Sequence, residues 1–555
     1  MTGELLISDL SICQPASALS RQWQDGKWML MDYETVDDIA GQMLCYTYYP
    51  VFHSAMRRPK EQEFVNAPII TLPLAATGWH EICLGMHYAS AARLEGPQIR
   101  VKLSGEEMYS TIGREQCQPK DGDFPEKSGF GIFDVAEVCW RTADLTDQDL
   151  IIAPPGLYYG NDQFFTNLLY VRLRPVLEGQ ISRYPTQQQS QDTRRLIAYY
   201  GGPPKTVEAA RDWVDCFRDS DFGLILWGAA HTRTPEVSKA AIQHARELGI
   251  DVYGSIRFQG LKMDNYLPIH EIYAENSLNS SIVTDHPEWR KRDPQGVMTN
   301  SLSLAFPEVR DFWLGSIRDF VEQGFDGINI VFARSFPFVL YEQPAVESFQ
   351  QRYDDDPRLL EPTDDRWVRH RAAYVTDFLR DVRAMLDEQE SRTGIRLGTA
   401  YHVMNSVSNS LYFTMDVETW IREGLIDHCI VHPTHSAEPH MPDPAEFTPE
   451  FLGQYVKLAK GTACRVYADV YPRRMPAEAY RHKAMAYYDA GVDGLSMWDT
   501  QARRSRCSEW SIIRMLGHRD DLPSWGKNTE GVFRKTSLRT LQGITTNRAY
   551  SFTDG

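Results

Sequence analysis

The sequence predicts an α/β chain: a (β/α)8 TIM barrel preceded by an N-terminal β-sandwich of jelly-roll type. Three observations predict it. Short strands crowd the first third of the chain with no helical periodicity between them. Eight apolar strand segments then alternate with amphipathic helical ones. The 555 residues also exceed one ordinary core and suffice for a barrel of about 250 residues with a companion domain.

The first set of strands is read at residues 67–74, 79–86, 98–103 and 167–174, each bounded by turn residues. Strands at this density without intervening helices point to a sandwich. The polar stretch 182–194, with Gln187, Gln188 and Gln189, reads as a linker. The domain plan is therefore a β-sandwich over 1–181, a linker over 182–194 and a barrel over 195–520. Residues 521–555 form a C-terminal extension expected to pack on the barrel or the sandwich.

The barrel strands are predicted at 196–200, 223–227, 252–257, 327–332, 395–401, 428–432, 465–470 and 494–498. The helices between them carry their own punctuation. Thr234, Pro235 and Glu236 supply a cap, a first-turn proline and an acid, and Gly249 closes that helix. Pro307 and Glu308 open another that ends at Gly324; Thr448 and Pro449 open a third; the last runs from Pro476 to Ala490. Eight such pairs favour parallel strands closing on themselves. A doubly wound open sheet is the competing fold, but no G-x-G-x-x-G follows the first strand. The long connections 258–301 and 333–364 follow strands three and four, so in a barrel they lie on the C-terminal face, where active sites are built.

Composition narrows the function. A hydrophobic fraction of 42% and a charged fraction of 24% are ordinary for a globular chain. The net charge of −17, with no Lys/Arg-rich run, argues against a nucleic-acid or anionic-membrane partner. No stretch approaches the ~18 apolar residues of a membrane helix, and the first residues lack a basic region followed by an apolar one. The nine cysteines are scattered and form no CxxC pair. A cytoplasmic protein with reduced thiols and no cofactor is the expectation. A carbohydrate is the expected partner, and a sandwich beside a barrel adds self-association as a further expectation.

Strand alternation places the chemistry. On strand seven, Val466, Ala468 and Val470 form the helix-facing set, so Tyr467 and Asp469 point inward. Strand eight ends in Trp498 followed by Asp499; strand five ends at Tyr401 and His402, strand six at His432, strand three at Arg257 and strand two at Trp227. After strand four, Arg334 precedes a loop that brings Glu342 among Phe336, Phe338, Leu340 and Tyr341. Cleaving a glycosidic bond needs one protonated acid and one carboxylate flanking it, and Glu342, Asp469 and Asp499 are the acids placed to supply them. The apolar neighbours of Glu342 suit a general acid with a raised pKa, leaving Asp469 or Asp499 as nucleophile or base. Glu342→Gln is then expected to cut turnover at least ~100-fold with folding intact. Against this, Glu342 also fits a plain acid before a helix opened by Pro344, Asp469 an ion pair with Arg473 or Arg474, and Asp499 a cap. Arg257, Arg334, Tyr341, His402, His432, Trp227 and Trp498 are the expected substrate-binding side chains. The tryptophans would offer flat faces to a sugar ring, or else plug the barrel as core.

Two further features are weighed. Asp326 and Asp493 each precede a glycine at the start of a strand, so both read as turn residues on the stability face. His432, His435, Glu438 and His440 form the one histidine cluster, but they lack the helical spacing of a metal motif, and no metal is expected.

Residues 324–334, 337–344 and 349–357 resemble glycoside-hydrolase-like barrel proteins of the family 10 glycosyl-hydrolase-like group. Residues 471–476, 491–499 and 515–520 match the same pattern, and 286–289 and 307–310 share its character. The resemblance implies a TIM barrel with an ancillary β-domain acting on a glycosidic bond. It carries over no catalytic motif. Strand four ends in Val331, Phe332, Ala333 and Arg334, without the carboxylate many barrel glycosidases keep there. Two other readings compete with the two-carboxylate hydrolase: a metal-dependent sugar hydrolase, lyase or isomerase using the His432 cluster, and a non-catalytic carbohydrate-binding barrel.

Overall fold

The structure is a computed structural model. It describes residues 3–24, 26–48, 67–87, 99–106, 110–112, 134–154, 164–176, 193–200, 206–215, 217–218, 220–228, 235–258, 282 and 285–334. It further describes 337–433, 448–471, 477–498, 500, 513–520, 522–523 and 534–546.

Among the described residues, two largely antiparallel sheets are built mainly from the part of the chain before the barrel. The larger has nine strands, among them Trp28–Thr35, Ala40–Tyr48, Trp79–His87, Asp134–Asp144 and Phe164–Pro175. The smaller has four: Ile70–Leu72, Leu150–Ala153, Ile99–Leu103 and Ser110–Ile112. Alternate residues of both, such as Leu44, Ile82 and Leu168 from one and Leu72, Val101 and Ile152 from the other, form a single buried cluster. The strand Arg534–Leu541 joins the larger sheet. It pairs antiparallel with Asp134–Asp144 through one half and with Trp28–Thr35 through the other. Leu538 thereby enters a second cluster with Tyr33, Met43, Val135 and Leu169.

Eight parallel strands then close a barrel: β1 Leu196–Tyr200, β2 Phe222–Gly228, β3 Asp251–Ile256, β4 Gly327–Val331, β5 Gly398–Val403, β6 His428–Val431, β7 Arg465–Asp469 and β8 Gly494–Met497. Closure comes from β1 pairing with both β2 and β8. The helices between strands include α1 Val207–Asp215, α2 Pro235–Glu247, α3 Pro307–Gln323, α4 Gln343–Tyr353, α5 Asp365–Thr393, α6 Val407–Tyr412, α7 Val417–Arg422, α8 Pro449–Ala459 and α9 Ala477–Asp489. The proline-opened helices begin as the sequence predicts, because a first-turn proline gives up only an N–H that has no helical partner. Among the described residues, no helix is long and apolar enough to cross a membrane.

Alternation along each strand separates two cores. Outward residues such as Ile225, Val252, Ile328, Val466 and Ala468 pack against the helices. Inward residues Ile197, Tyr199, Leu224, Leu226, Tyr253, Val331, Ala400, Ile430, Tyr467 and Trp498 fill the interior. The lower layer pairs tyrosine with glycine. A β-carbon at Gly398 would collide with the Tyr253 hydroxyl, and one at Gly494 would sit 2.6 Å from the Tyr467 ring. The glycines that open β5 and β8 therefore make room for two buried rings.

The strand-start aspartates form a repeated device. Asp326, before β4, accepts from the Val252 N–H of β3 at 2.9 Å, and its own N–H donates to the Val252 carbonyl. Asp427, before β6, does the same with Thr399 of β5 at 2.8 Å, and Asp493, before β8, with Val466 of β7 at 2.8 Å. Each side chain satisfies the first free donor of the preceding strand, which gives Asp326 and Asp493 the stability role read from their position.

His428 lies in the same lower layer, between Tyr253 at 5.9 Å and Tyr467 at 5.4 Å. Burial pushes its imidazole down to about 4. A histidine held neutral in the fold is protonated more readily when unfolded, so its contribution is complete above the ordinary value of about 6.5 and fades as pH falls from there toward 4. Denaturant unfolding at pH 7.5, 6 and 5 is expected to show that decline in wild type and a flatter profile in His428→Gln. Parallel profiles would remove His428 as its source.

Candidate active site

The inward positions at the C-terminal ends of the strands bring polar and aromatic side chains from most of the barrel together. Asp469 ends β7, buried, with Oδ1 accepting the Trp498 N–H at 3.0 Å. Its Oδ2 lies 3.4 Å from Nε2 of His432, the residue that follows β6. Trp498, just past β8, stacks on Tyr199 of β1 with ring centres 4.1 Å apart and planes 5° from parallel. Arg257 follows β3; its guanidinium lies over both rings, 5.4 Å from Tyr199 and 5.1 Å from Trp498, and its Nε donates to the Tyr199 hydroxyl at 2.9 Å. His402 of β5 packs edge-on against Trp498 at 5.2 Å and sits 5.6 Å from Tyr199 and 6.3 Å from His432. Below it, Ser255 and Asn329 continue the polar line on β3 and β4. Thr500 closes the seam, its hydroxyl accepting the Tyr199 N–H at 3.1 Å.

One site thus unites Asp469, His432, His402, Trp498 and Arg257, all named from the sequence. It adds Tyr199, Asn329 and Ser255, which strand-end reasoning passed over. The signal for Asn329 was present: it is the one polar side chain in an otherwise apolar β4, on the same inward parity as Val331. Tyr199 shares the inward parity of Ile197, hidden because both faces of β1 are apolar.

The other named residues take no part in these described contacts. Trp227 faces outward with Ile225, buried against Trp213 of α1 at 5.4 Å, so it is a core residue and not a stacking platform at the mouth. The reason is parity, since Leu224 and Leu226 hold the inward positions of β2. Tyr341 leans on Trp367 of α5 at 5.0 Å, and its N–H donates to the Arg292 carbonyl. Arg334 closes a short turn, Phe332–Arg334, after β4. Asp499, Arg473, Arg474, His435, Glu438 and His440 lie outside the described residues.

Glu342 sits immediately before α4 and is fully buried. Its carboxylate accepts from the Leu340 N–H at 2.9 Å and from the Arg292 N–H at 3.2 Å. Arg292 belongs to the short strand Arg290–Arg292, which pairs with Met298–Leu302 in the long connection after β3. The buried Lys291 supplies the countercharge. Burial pushes the Glu342 carboxyl upward against the pull of the Leu340 N–H and of Lys291, and burial pushes the Lys291 ammonium down to about 8. The described contacts of Glu342 tie the loop after β4 to the hairpin after β3; none of them reaches Asp469, His432 or Trp498.

The histidines raise the question of a metal. Among the described residues, no group of three or more His, Cys, Asp or Glu side chains is arranged to hold one.

Comparison with known proteins meets the barrel at this point. Residues 236–468 match the family Glycosyl hydrolase-like 10. The match spans β3 through most of β7, so the glycosyl-hydrolase-like segment contributes Arg257, Asn329, His402 and His432 and stops one residue short of Asp469. It bears out the resemblance carried by residues 324–357. No curated protein matches the chain. Among solved structures, the glycoside hydrolase domain of PelA from Pseudomonas aeruginosa is similar at 13% identity, covering 55% of this chain and 95% of that one, with a TM-score of 0.32. A chitinase A from Streptomyces coelicolor shares 12% identity over 59% of this chain and 99% of its own, with a TM-score of 0.31. The α-galactosidase TtGalA from Thermus thermophilus shares 11% over 88% and 95%, with a TM-score of 0.32. Over residues 236–468 the chain is thus similar to Glycosyl hydrolase-like 10.

Proposed function

We propose that the chain is a glycoside hydrolase acting on an oligosaccharide, with Asp469 as the carboxylate at the reacting centre. The observation that supports this most is the strand-end cluster itself. A carboxylate oriented by a backbone N–H stands beside a histidine, a stacked Tyr–Trp pair and an arginine, the set of groups that binds a sugar ring and stabilises positive charge developing on it. In this reading Asp499, next in sequence to Trp498, is the second acid. One carboxyl group protonates the departing glycosidic oxygen, while the other attacks the anomeric carbon or activates water. Arg257, half-buried above the stacked rings, holds a sugar hydroxyl. Glu342 is reassigned from general acid to loop anchor, because its carboxylate is committed to backbone donors and Lys291.

The test is release of sugar from aryl glycosides and natural oligosaccharides by the purified protein. Turnover supports the reading. Binding without turnover moves the chain to the non-catalytic, carbohydrate-binding alternative.

A further inference from the structure

We infer that Asn329 is a positioning residue that fixes the tautomer of His402, so that this imidazole is neutral and presents its Nε2–H as a hydrogen-bond donor to a ligand oxygen. The argument begins with an amide whose orientation is decided by its neighbours. The Asn329 side chain on β4 lies 2.7 Å from the Ala400 carbonyl oxygen through one atom and 2.6 Å from the Ser255 hydroxyl through the other. A carbonyl oxygen can only accept, so the atom facing Ala400 is the NH2 group, and the Ser255 hydroxyl donates to Oδ1. The reverse orientation would press two carbonyl oxygens together inside the barrel, where both are buried.

With Nδ2 so placed, its second hydrogen is directed at Nδ1 of His402, 3.2 Å away. An amide NH2 cannot accept, so Nδ1 must offer its lone pair and carries no proton. A neutral imidazole keeps one N–H, which then belongs to Nε2. His402 is left with no lone pair to take a proton from a substrate. It serves as a donor to a hydroxyl, ether or carboxylate oxygen brought among Tyr199, His432 and Trp498, and proton transfer falls to the carboxylates. That the oxygen belongs to a sugar rests on the function proposed above; the tautomer does not.

Long-range 1H–15N correlation spectra of 15N-histidine-labelled protein at pH 7 test this directly, with His402→Gln used to assign the His402 signals among the 15 histidines. The expected result is a protonated Nε2 and a bare Nδ1. A proton on Nδ1, whether in the other neutral tautomer or in imidazolium, overturns the inference. In Asn329→Asp, a carboxylate faces Nδ1 and can only accept, so the proton is expected on Nδ1. An unchanged Nε2–H tautomer in that variant would show that another group sets the state. Both readouts stand whether or not a sugar is turned over, so failure of the tautomer is distinguishable from failure of the glycosidase reading.

Discussion

Glu342→Gln is expected to destabilise the barrel by about 3–5 kcal/mol, because it leaves the buried Lys291 ammonium without its countercharge. The amide also replaces one of the two oxygens that accept the Leu340 and Arg292 N–H groups. Removing both charges together reverses most of the loss, since a neutral pair of similar volume pays no desolvation for ions. Denaturant unfolding of wild type, Glu342→Gln, Lys291→Met and the double variant measures this as a cycle. The account predicts two strongly destabilised single variants and a double variant closer to wild type than either. A Glu342→Gln protein with the wild-type midpoint and a turnover at least ~100-fold lower would instead return Glu342 to the general-acid role read from its neighbours in sequence.

Asp469→Asn carries the other large effect. The replacement keeps size and one acceptor oxygen, so the Trp498 N–H retains a partner and the cluster keeps its packing. What is lost is the negative charge beside His432 and the ability to attack, or to accept a proton. On a sugar that the wild type hydrolyses, kcat is expected to fall by about 10²–10⁴-fold, while the dissociation constant of the same sugar changes little. Equal weakening of binding and turnover would make Asp469 a binding group; unchanged turnover would take it out of the reaction.

Much of the barrel was legible because its strands are apolar runs that follow helix-closing glycines such as Gly249, Gly324 and Gly491, a pattern that needs only local information. Strand β5 shows where that reading slips. Ile395 looked like its start, yet it is exposed on the turn after Gly394, and the strand opens at Gly398, where the absent side chain admits the Tyr253 ring. The strand Arg534–Leu541 was not legible, because its register is set by residues such as Thr35 and Glu137, hundreds of positions earlier in the chain. At the site, the strand-end rule found Asp469, His402, His432 and Trp498. It misplaced Trp227, since a strand buried on both faces shows no alternation from which to tell inside from outside. Glu342 shows another limit: its sequence neighbours are aromatic, but beyond the Leu340 N–H its partners are the Arg292 N–H, Lys291 and the Ser303 side chain, all from the connection after β3. Long-range partners of that kind leave no trace in a local window.

The most direct measurement of the central claim is a panel of aryl glycosides and natural oligosaccharides incubated with the purified protein, with and without a chelator. The account predicts sugar release that the chelator leaves unchanged, with the responding glycoside defining the substrate. Release abolished by the chelator would contradict the carboxylate mechanism and transfer the chemistry to the histidines around His432. Sugar binding with no release from any member of the panel would contradict hydrolysis and leave a barrel that holds carbohydrate without cutting it.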